Sequence, residues 1–136
     1  MIVVDTNIIS YLLLPTSFTD SVESLYKSDP AWLAPRLWKS EFRNVLALYL
    51  RKNIITLEKA LSLQEVAESI MAKNEYDVSS SQILALVNES NCSAYDCEFV
   101  ALAHHFNVRL VTQDKKILSQ FPESTFTLEN YFSNET

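Results

Sequence analysis

The chain reads as an α/β protein built on a short parallel sheet with helices over both faces. Three observations carry that reading. Short runs of strand length occur at 2–4, 31–34, 109–112 and near 125–128, and segments with apolar residues at 3, 4, 7, 8 spacing lie between them. Strands separated by helices pair in parallel through right-handed crossovers. The strand cores are short and apolar, which suits a sheet covered on both sides.

Taken in order, Ile2, Val3 and Val4 make a buried strand that ends at Asp5. A helix follows through Leu12, and Pro15 stops it. Residues 19–28 form a second short helix. Ala31 to Ala34 form a strand bounded by Pro30 and Pro35. From Leu37 a long helix runs to about Lys52, with Phe42, Val45, Leu46, Tyr49 and Leu50 as its apolar stripe. Thr56 has the character of an N-cap for the next helix, whose stripe is Leu63, Val66, Ala67, Ile70 and Met71. Helices follow at 80–90 and 94–106. Asn107 ends the second of these in the left-handed conformation, a place usually taken by glycine. A strand over 109–112, a brief helix over 115–120 before Pro122 and a last strand near 125–128 complete the order. No repeat, linker or low-complexity stretch divides the chain, so one domain is expected over 1–132, with a loose tail at 133–136.

Composition narrows the function. The 136 residues are 48% hydrophobic and 21% charged, ordinary for a globular domain with a real core. No apolar run is long enough to span a bilayer. The opening MIVV has no basic region before it, so it does not read as a signal peptide, and a cytoplasmic location with no membrane partner is expected. Cys92 and Cys97 match no zinc spacing and read as structural cysteines, with nothing to argue for a disulfide between them. The chain contains no glycine at all. That excludes every Gly-rich phosphate loop, the dinucleotide fingerprint and the nucleophile elbow together.

Four acidic residues stand out: Asp5, Glu41, Asp96 and Asp114. Two follow strands and two sit early on helices, which is how a pocket at one sheet edge is assembled. Each also has a plainer explanation. Asp5 and Asp114 can serve as N-caps of the helices after them. Glu41 borders the buried face of its helix and can favour the helix dipole or pair with Lys39 or Arg43. Asp96 closes the capping box Ser93-Ala94-Tyr95-Asp96 yet also takes an inward slot ahead of Phe99, Val100 and Ala103. Glu98 points roughly to the opposite side and reads as surface, as do His104 and His105. Crowded carboxylates repel unless cations neutralise them, and oxygen-only ligands favour Mg²⁺ or Mn²⁺ over zinc.

The net charge of −6 and the pI near 4.8 run against a nucleic-acid partner. Four of those negative charges belong to the candidate pocket, and two bound divalent cations would bring −6 to −2. Arg36, Lys39, Arg43, Arg51 and Lys52 cluster around Glu41, and Lys115 and Lys116 follow Asp114, so a basic rim around an acidic pocket is expected.

These residues stand in segments that resemble the four motifs of the PIN-domain ribonucleases, and especially the VapC-type toxins of toxin–antitoxin pairs. VVDTNIISYLL carries Asp5, Thr6 and Asn7; APRLWKSEFRNVL carries Glu41 and Asn44; SAYDCEFVALA carries Asp96; LVTQDKKIL carries Thr112 and Asp114. The resemblance runs in order from Met1 to about Leu118, and departs from the family where Asn107 stands in a position commonly held by glycine. It implies a three-layer α/β/α sandwich with a short central parallel sheet and a metal-dependent endoribonuclease with one or two Mg²⁺ (or Mn²⁺) ions among Asp5, Glu41, Asp96 and Asp114. Asp5 and Asp96 are implied as direct ligands, and Glu41 and Asp114 as ligands through water or to a second ion. Thr6, Asn7 and Thr112 are implied as supporting polar groups, and Arg43 and Lys115 as contacts to RNA phosphates. A small antitoxin and a second copy of the chain are the partners it implies. A non-catalytic module that binds RNA or protein through the same surface is the other reading.

Overall fold

The protein is described by a computed structural model that covers residues 1–133. Its elements are β1 (Ile2–Val4), α1 (Thr6–Leu13), α2 (Thr19–Ser28), β2 (Trp32–Pro35), α3 (Leu37–Arg51), α4 (Leu57–Met71), β3 (Glu75–Tyr76), α5 (Ser80–Asn88), α6 (Ala94–Phe106), β4 (Leu110–Val111), α7 (Lys115–Gln120), β5 (Thr125–Phe126) and α8 (Leu128–Ser133). The five strands form one sheet in the order β3-β2-β1-β4-β5, and every pairing is parallel. The register puts Ile2 opposite Trp32 and Val4 opposite Val111. Right-handed crossovers place α1 to α4 on one face and α5 to α7 on the other, which is the three-layer sandwich expected.

The centre of the sheet is the centre of the core. Val3, Val4, Leu33, Ala34, Leu110 and Val111 are buried on both faces, so the strands need no polar alternation. On one side α6 lies along β1, β2 and β4 with α5 packed over it. This double cover buries Cys97 and the whole run Phe99, Val100, Ala101, Leu102 and Ala103, well beyond a single stripe. On the other side α1, α3 and α4 pack on one another, with Trp38, Phe42, Ala67 and Met71 fully enclosed. Cys92 and Cys97 are free thiols packed into this core, and burial pushes both thiols up.

Three elements differ from expectation. β3 has no apolar run to announce it. It exists because β2 has an open edge, to which Glu75 and Tyr76 supply the missing ladder: Ala34 N–H donates to Asn74 O and Arg36 N–H to Tyr76 O. Pro35 is part of β2 rather than its boundary. Its absent N–H would face the β1 side, beyond the last pair with β1 at Leu33. Past β5 the chain turns helical at Leu128 instead of continuing as strand, and Phe126, Tyr131 and Phe132 pack against the core with edge-to-face ring contacts. Of the tail expected to be loose, Ser133 closes α8, while 134–136 lie outside the described residues. Val66, assigned to the α4 stripe, is 44% exposed, and Ala60 takes a buried place in that stripe.

Caps bear out the sequence closely. Thr56 Oγ1 accepts the N–H of Lys59 at 3.1 Å, and Asn107 stands at φ 53°, ψ 44° with its N–H returned to His104 O and Ala103 O. A Cβ in this region costs about 1–2 kcal/mol, which the amide of asparagine tolerates better than most side chains. Asn107→Ala is expected to lower unfolding stability by about 1 kcal/mol, and Asn107→Gly to leave it equal or higher. Urea denaturation of the three proteins checks this.

Candidate active site

The chain order along the sheet reverses at β1, which has β2 and β3 on one side and β4 and β5 on the other. Open parallel sheets leave a crevice at the carboxyl ends of the strands at such a point. Asp5 follows β1 and Asp114 follows β4, so both stand at that crevice. α3 brings Glu41 and the first turn of α6 brings Asp96. All four carboxylates line one cavity of about 450 Å³.

Asp5 is 7% exposed. Its Oδ1 accepts the N–H of Ile8 at 3.1 Å, which caps α1, and its Oδ2 accepts the hydroxyl of Thr112 at 2.5 Å. The same Thr112 oxygen accepts the N–H of Asp114 at 3.0 Å, so one buried hydroxyl ties the ends of β1 and β4 together. Glu41 accepts a hydrogen bond from Thr6 Oγ1 at 2.7 Å. Asp114 Oδ1 caps α7 by accepting the N–H groups of Lys116 and Ile117 at 2.9 and 3.0 Å. For Asp5 and Asp114, then, capping and cavity lining hold together, because a cap occupies one carboxylate oxygen while the side chain still lines the cavity. The box on α6 is only half formed. Ser93 Oγ accepts the N–H of Asp96 at 3.0 Å, but the Asp96 carboxylate, one methylene shorter than the usual glutamate, makes no return bond and lines the cavity instead.

Asn7 lines the cavity beside Thr6, and Ser40 and Asn44 line it from α3. Thr112 is reached only through Asp5. Arg43 and Lys115 are exposed and outside the lining. The basic rim is smaller than expected: Arg36 pairs with Glu75 at 3.5 Å and Asp77 at 3.1 Å, and Lys39 pairs with Glu68 and Glu75 at 3.8 and 3.7 Å. Those acids come from α4 and from β3 and its following loop, contacts that only the fold creates. Lys39 is therefore not the partner of Glu41. His104 is exposed and bonds Ser124 at 2.7 Å, and neither histidine lines the cavity. Glu98 corrects the expectation of a far surface. It is half-buried and near enough to Glu41 for that charge, after its own burial, to raise its carboxyl. Tyr95, Leu37, Val45, Phe99 and Ile117 complete the wall. Sequence reasoning passed over Tyr95, although its place just before Asp96 in the first turn of α6 was the available signal.

Electrostatics follow from burial and crowding. Burial pushes the Asp5 carboxyl up to about 6, against the bonds from Thr112 and Ile8 that favour its charged form; Asp114 and Glu41 push it further up. Burial also raises Glu41, opposed by Thr6 and reinforced by Asp96. No Lys, Arg or His lines the cavity to relieve this. The donor set is oxygen-only and anionic, which suits a hard divalent cation. Among the described residues no group of three or more His, Cys, Asp or Glu side chains is arranged to hold one ion.

The PIN domain family matches the chain over residues 2–123. Among curated proteins no relative matches by sequence. Solved structures share the fold. A toxin-antitoxin complex from Klebsiella pneumoniae is similar with a TM-score of 0.71 at 16% identity, over 94% of this chain and 98% of that one. FitAcB from Neisseria gonorrhoeae gives 0.71 at 19%, over 95% and 99%. PAE2754 from Pyrobaculum aerophilum gives 0.67 at 16%, over 96% and 92%.

The raised Asp5 carboxyl has a measurable effect on stability without metal. Asp5 binds its proton more tightly in the folded chain, near pH 6, than in the unfolded chain, near its ordinary 3.8. Its contribution is therefore full below about pH 4 and is lost as pH rises through about 6, a loss of about 3 kcal/mol. Asparagine carries no charge to desolvate. In EDTA near neutral pH, Asp5→Asn is expected to melt roughly 5 °C or more above the wild type, with the gap narrowing toward pH 4. Thermal melts across that range check it; a variant that melts lower at neutral pH contradicts it.

Proposed function

The chain belongs to the PIN domain family, whose members are generally nucleases, and from that premise we propose that it is a Mg²⁺-dependent endoribonuclease. We further read it as the toxin of a VapBC-type toxin–antitoxin pair. One observation carries the catalytic reading: four carboxylates from four separate elements line a single cavity that contains no basic side chain. A stack of negative charge of this kind has little structural use without cations.

In this reading Asp5 and Asp96 hold a Mg²⁺ (or Mn²⁺) ion, and Glu41 and Asp114 act through water or hold a second ion. The bound metal supplies a water of lowered pKa and charge stabilisation at the phosphate oxygens. The chain's own residues supply position. Thr112 holds one Asp5 oxygen and Ile8 N–H the other, which locks the Asp5 rotamer. Thr6 orients Glu41 in the same way. Asp96 stands in the first turn of α6, where the helix N-terminus favours negative charge. Asn7 borders the space where a phosphodiester would lie. Arg43 and Lys115, exposed and outside the lining, are candidates for phosphates further along an RNA strand.

The partners follow by likeness: a small antitoxin, in keeping with the Klebsiella toxin-antitoxin complex of the same fold, and a second copy of the chain. No helix among the described residues is long and apolar enough to cross a membrane, in keeping with a cytoplasmic enzyme. One observation favours a second reading, a non-catalytic PIN-like module that binds RNA or protein: among the described residues no three acidic side chains are grouped so as to hold a single ion.

Incubation with RNA in Mg²⁺ and in EDTA separates the two. Cleavage is expected with Mg²⁺ and not with EDTA, and Asp5→Asn or Asp96→Asn is expected to reduce it to the EDTA background with the fold intact by circular dichroism. Thr112→Val, which removes the hydroxyl that fixes Asp5, is expected to lower activity or metal affinity by about 10- to 100-fold. Undiminished cleavage by clean preparations of both aspartate variants would sink the catalytic reading.

A further inference from the structure

The cavity is lined by two unlike kinds of side chain. Carboxylates alternate with apolar groups along its walls: Leu37 and Val45 stand one turn either side of Glu41 on α3, and Phe99 one turn beyond Asp96 on α6. At its lip stands Tyr95, 63% exposed. The other five tyrosines, at 11, 26, 49, 76 and 131, are packed against the core. Tyr95 is not, and among the described residues its ring meets no other aromatic and its hydroxyl makes no hydrogen bond. Neither core packing nor a polar network accounts for it. Its backbone is nonetheless fixed: it is the second residue of α6, between the Ser93 cap and Asp96, whose N–H that cap holds. A flat ring is thus presented one residue from a carboxylate of the site.

No Lys, Arg or His side chain lines the cavity, in a chain of net charge −6. The chain's own cationic side chains therefore contribute no phosphate contact inside the cavity, unlike those of basic nucleic-acid-binding proteins. Base stacking can supply affinity there, because every nucleobase has an apolar face that an aromatic side chain accepts. A cavity of about 450 Å³ is also of the size that takes a small organic group.

We propose that Tyr95 is the stacking platform for the nucleobase next to the cleaved phosphate, with the apolar Leu37, Val45 and Phe99 side chains of the lining bordering that base. This rests on the ribonuclease reading above. It makes recognition depend on an unstacked base more than on backbone charge.

Steady-state cleavage of a single-stranded RNA oligonucleotide in Mg²⁺ tests it. Stacking contributes about 1–3 kcal/mol per base, so Tyr95→Ala is expected to lower kcat/KM about 5- to 150-fold. Tyr95→Phe keeps the ring and is expected to stay within about twofold of wild type. An abasic site moved along the oligonucleotide is expected to cost the wild type that same factor at one position beside the cut, and to cost Tyr95→Ala almost nothing there. Because Tyr95 is exposed, the melting temperature of both variants should match the wild type. Wild-type kcat/KM in Tyr95→Ala, or an abasic penalty that persists undiminished in it, overturns the stacking role while leaving the nuclease intact. Failure of the wild type to cleave any RNA overturns the ribonuclease reading, and the stacking role falls with it.

Discussion

Everything at the site hangs on a buried carboxylate at the end of the central strand. Asp5 is enclosed because β1 is the middle of the sheet, with neighbours on both sides and helices on both faces. Its charge is unwelcome there, and only the Ile8 N–H and the Thr112 hydroxyl meet it from within the protein. Thr112 in turn is placed by β4 pairing alongside β1, with Val4 opposite Val111. The hydrogen bond between Thr112 and Asp5 spans 107 positions of sequence and ties the centre of the sheet to the acidic cavity.

From that point the acidic crevice is built outward. Asp114 comes two residues beyond Thr112 and is held by the same hydroxyl. Thr6, the residue after Asp5, reaches across to Glu41 on α3. Asp96 arrives separately, on the first turn of a helix buried between sheet and α5. Bound protons or cations are the means by which so many like charges stay together, and the absence of basic side chains in the lining leaves that role open. The positive residues that do lie near in sequence are engaged elsewhere: Arg36 and Lys39 secure the short edge strand β3 and the flank of α4.

Much of this was legible beforehand. The apolar runs around Val3 and Val111, the 3, 4, 7, 8 stripe of α3, the Thr56 cap and the left-handed Asn107 are local features, and local features are written in neighbouring residues. β3 was not legible, because two residues with no apolar content become a strand only when an open edge lies beside them. The surface assignment of Glu98 failed for a related reason: helical phase says which way a side chain leaves its own helix, and nothing about which neighbour it then meets. Tyr95 carried no assignment of its own, because only the cavity formed by α3, α6 and the strand ends gives it a place at the site.

By itself the sequence determined the alternation of strands and helices, the caps, and the identity of the four acids, since each depends on periodicity or on hydrogen bonds between residues a few positions apart. The tertiary structure alone decided that these acids share one cavity and that Asp5 is the one buried. It also decided that Arg36 and Lys39 face away from the site and that Tyr95 stands at its mouth. Those are consequences of strand order. A parallel sheet whose order reverses at its first strand brings residues 5, 41, 96 and 114 to one edge, and no local pattern encodes a distance across that edge.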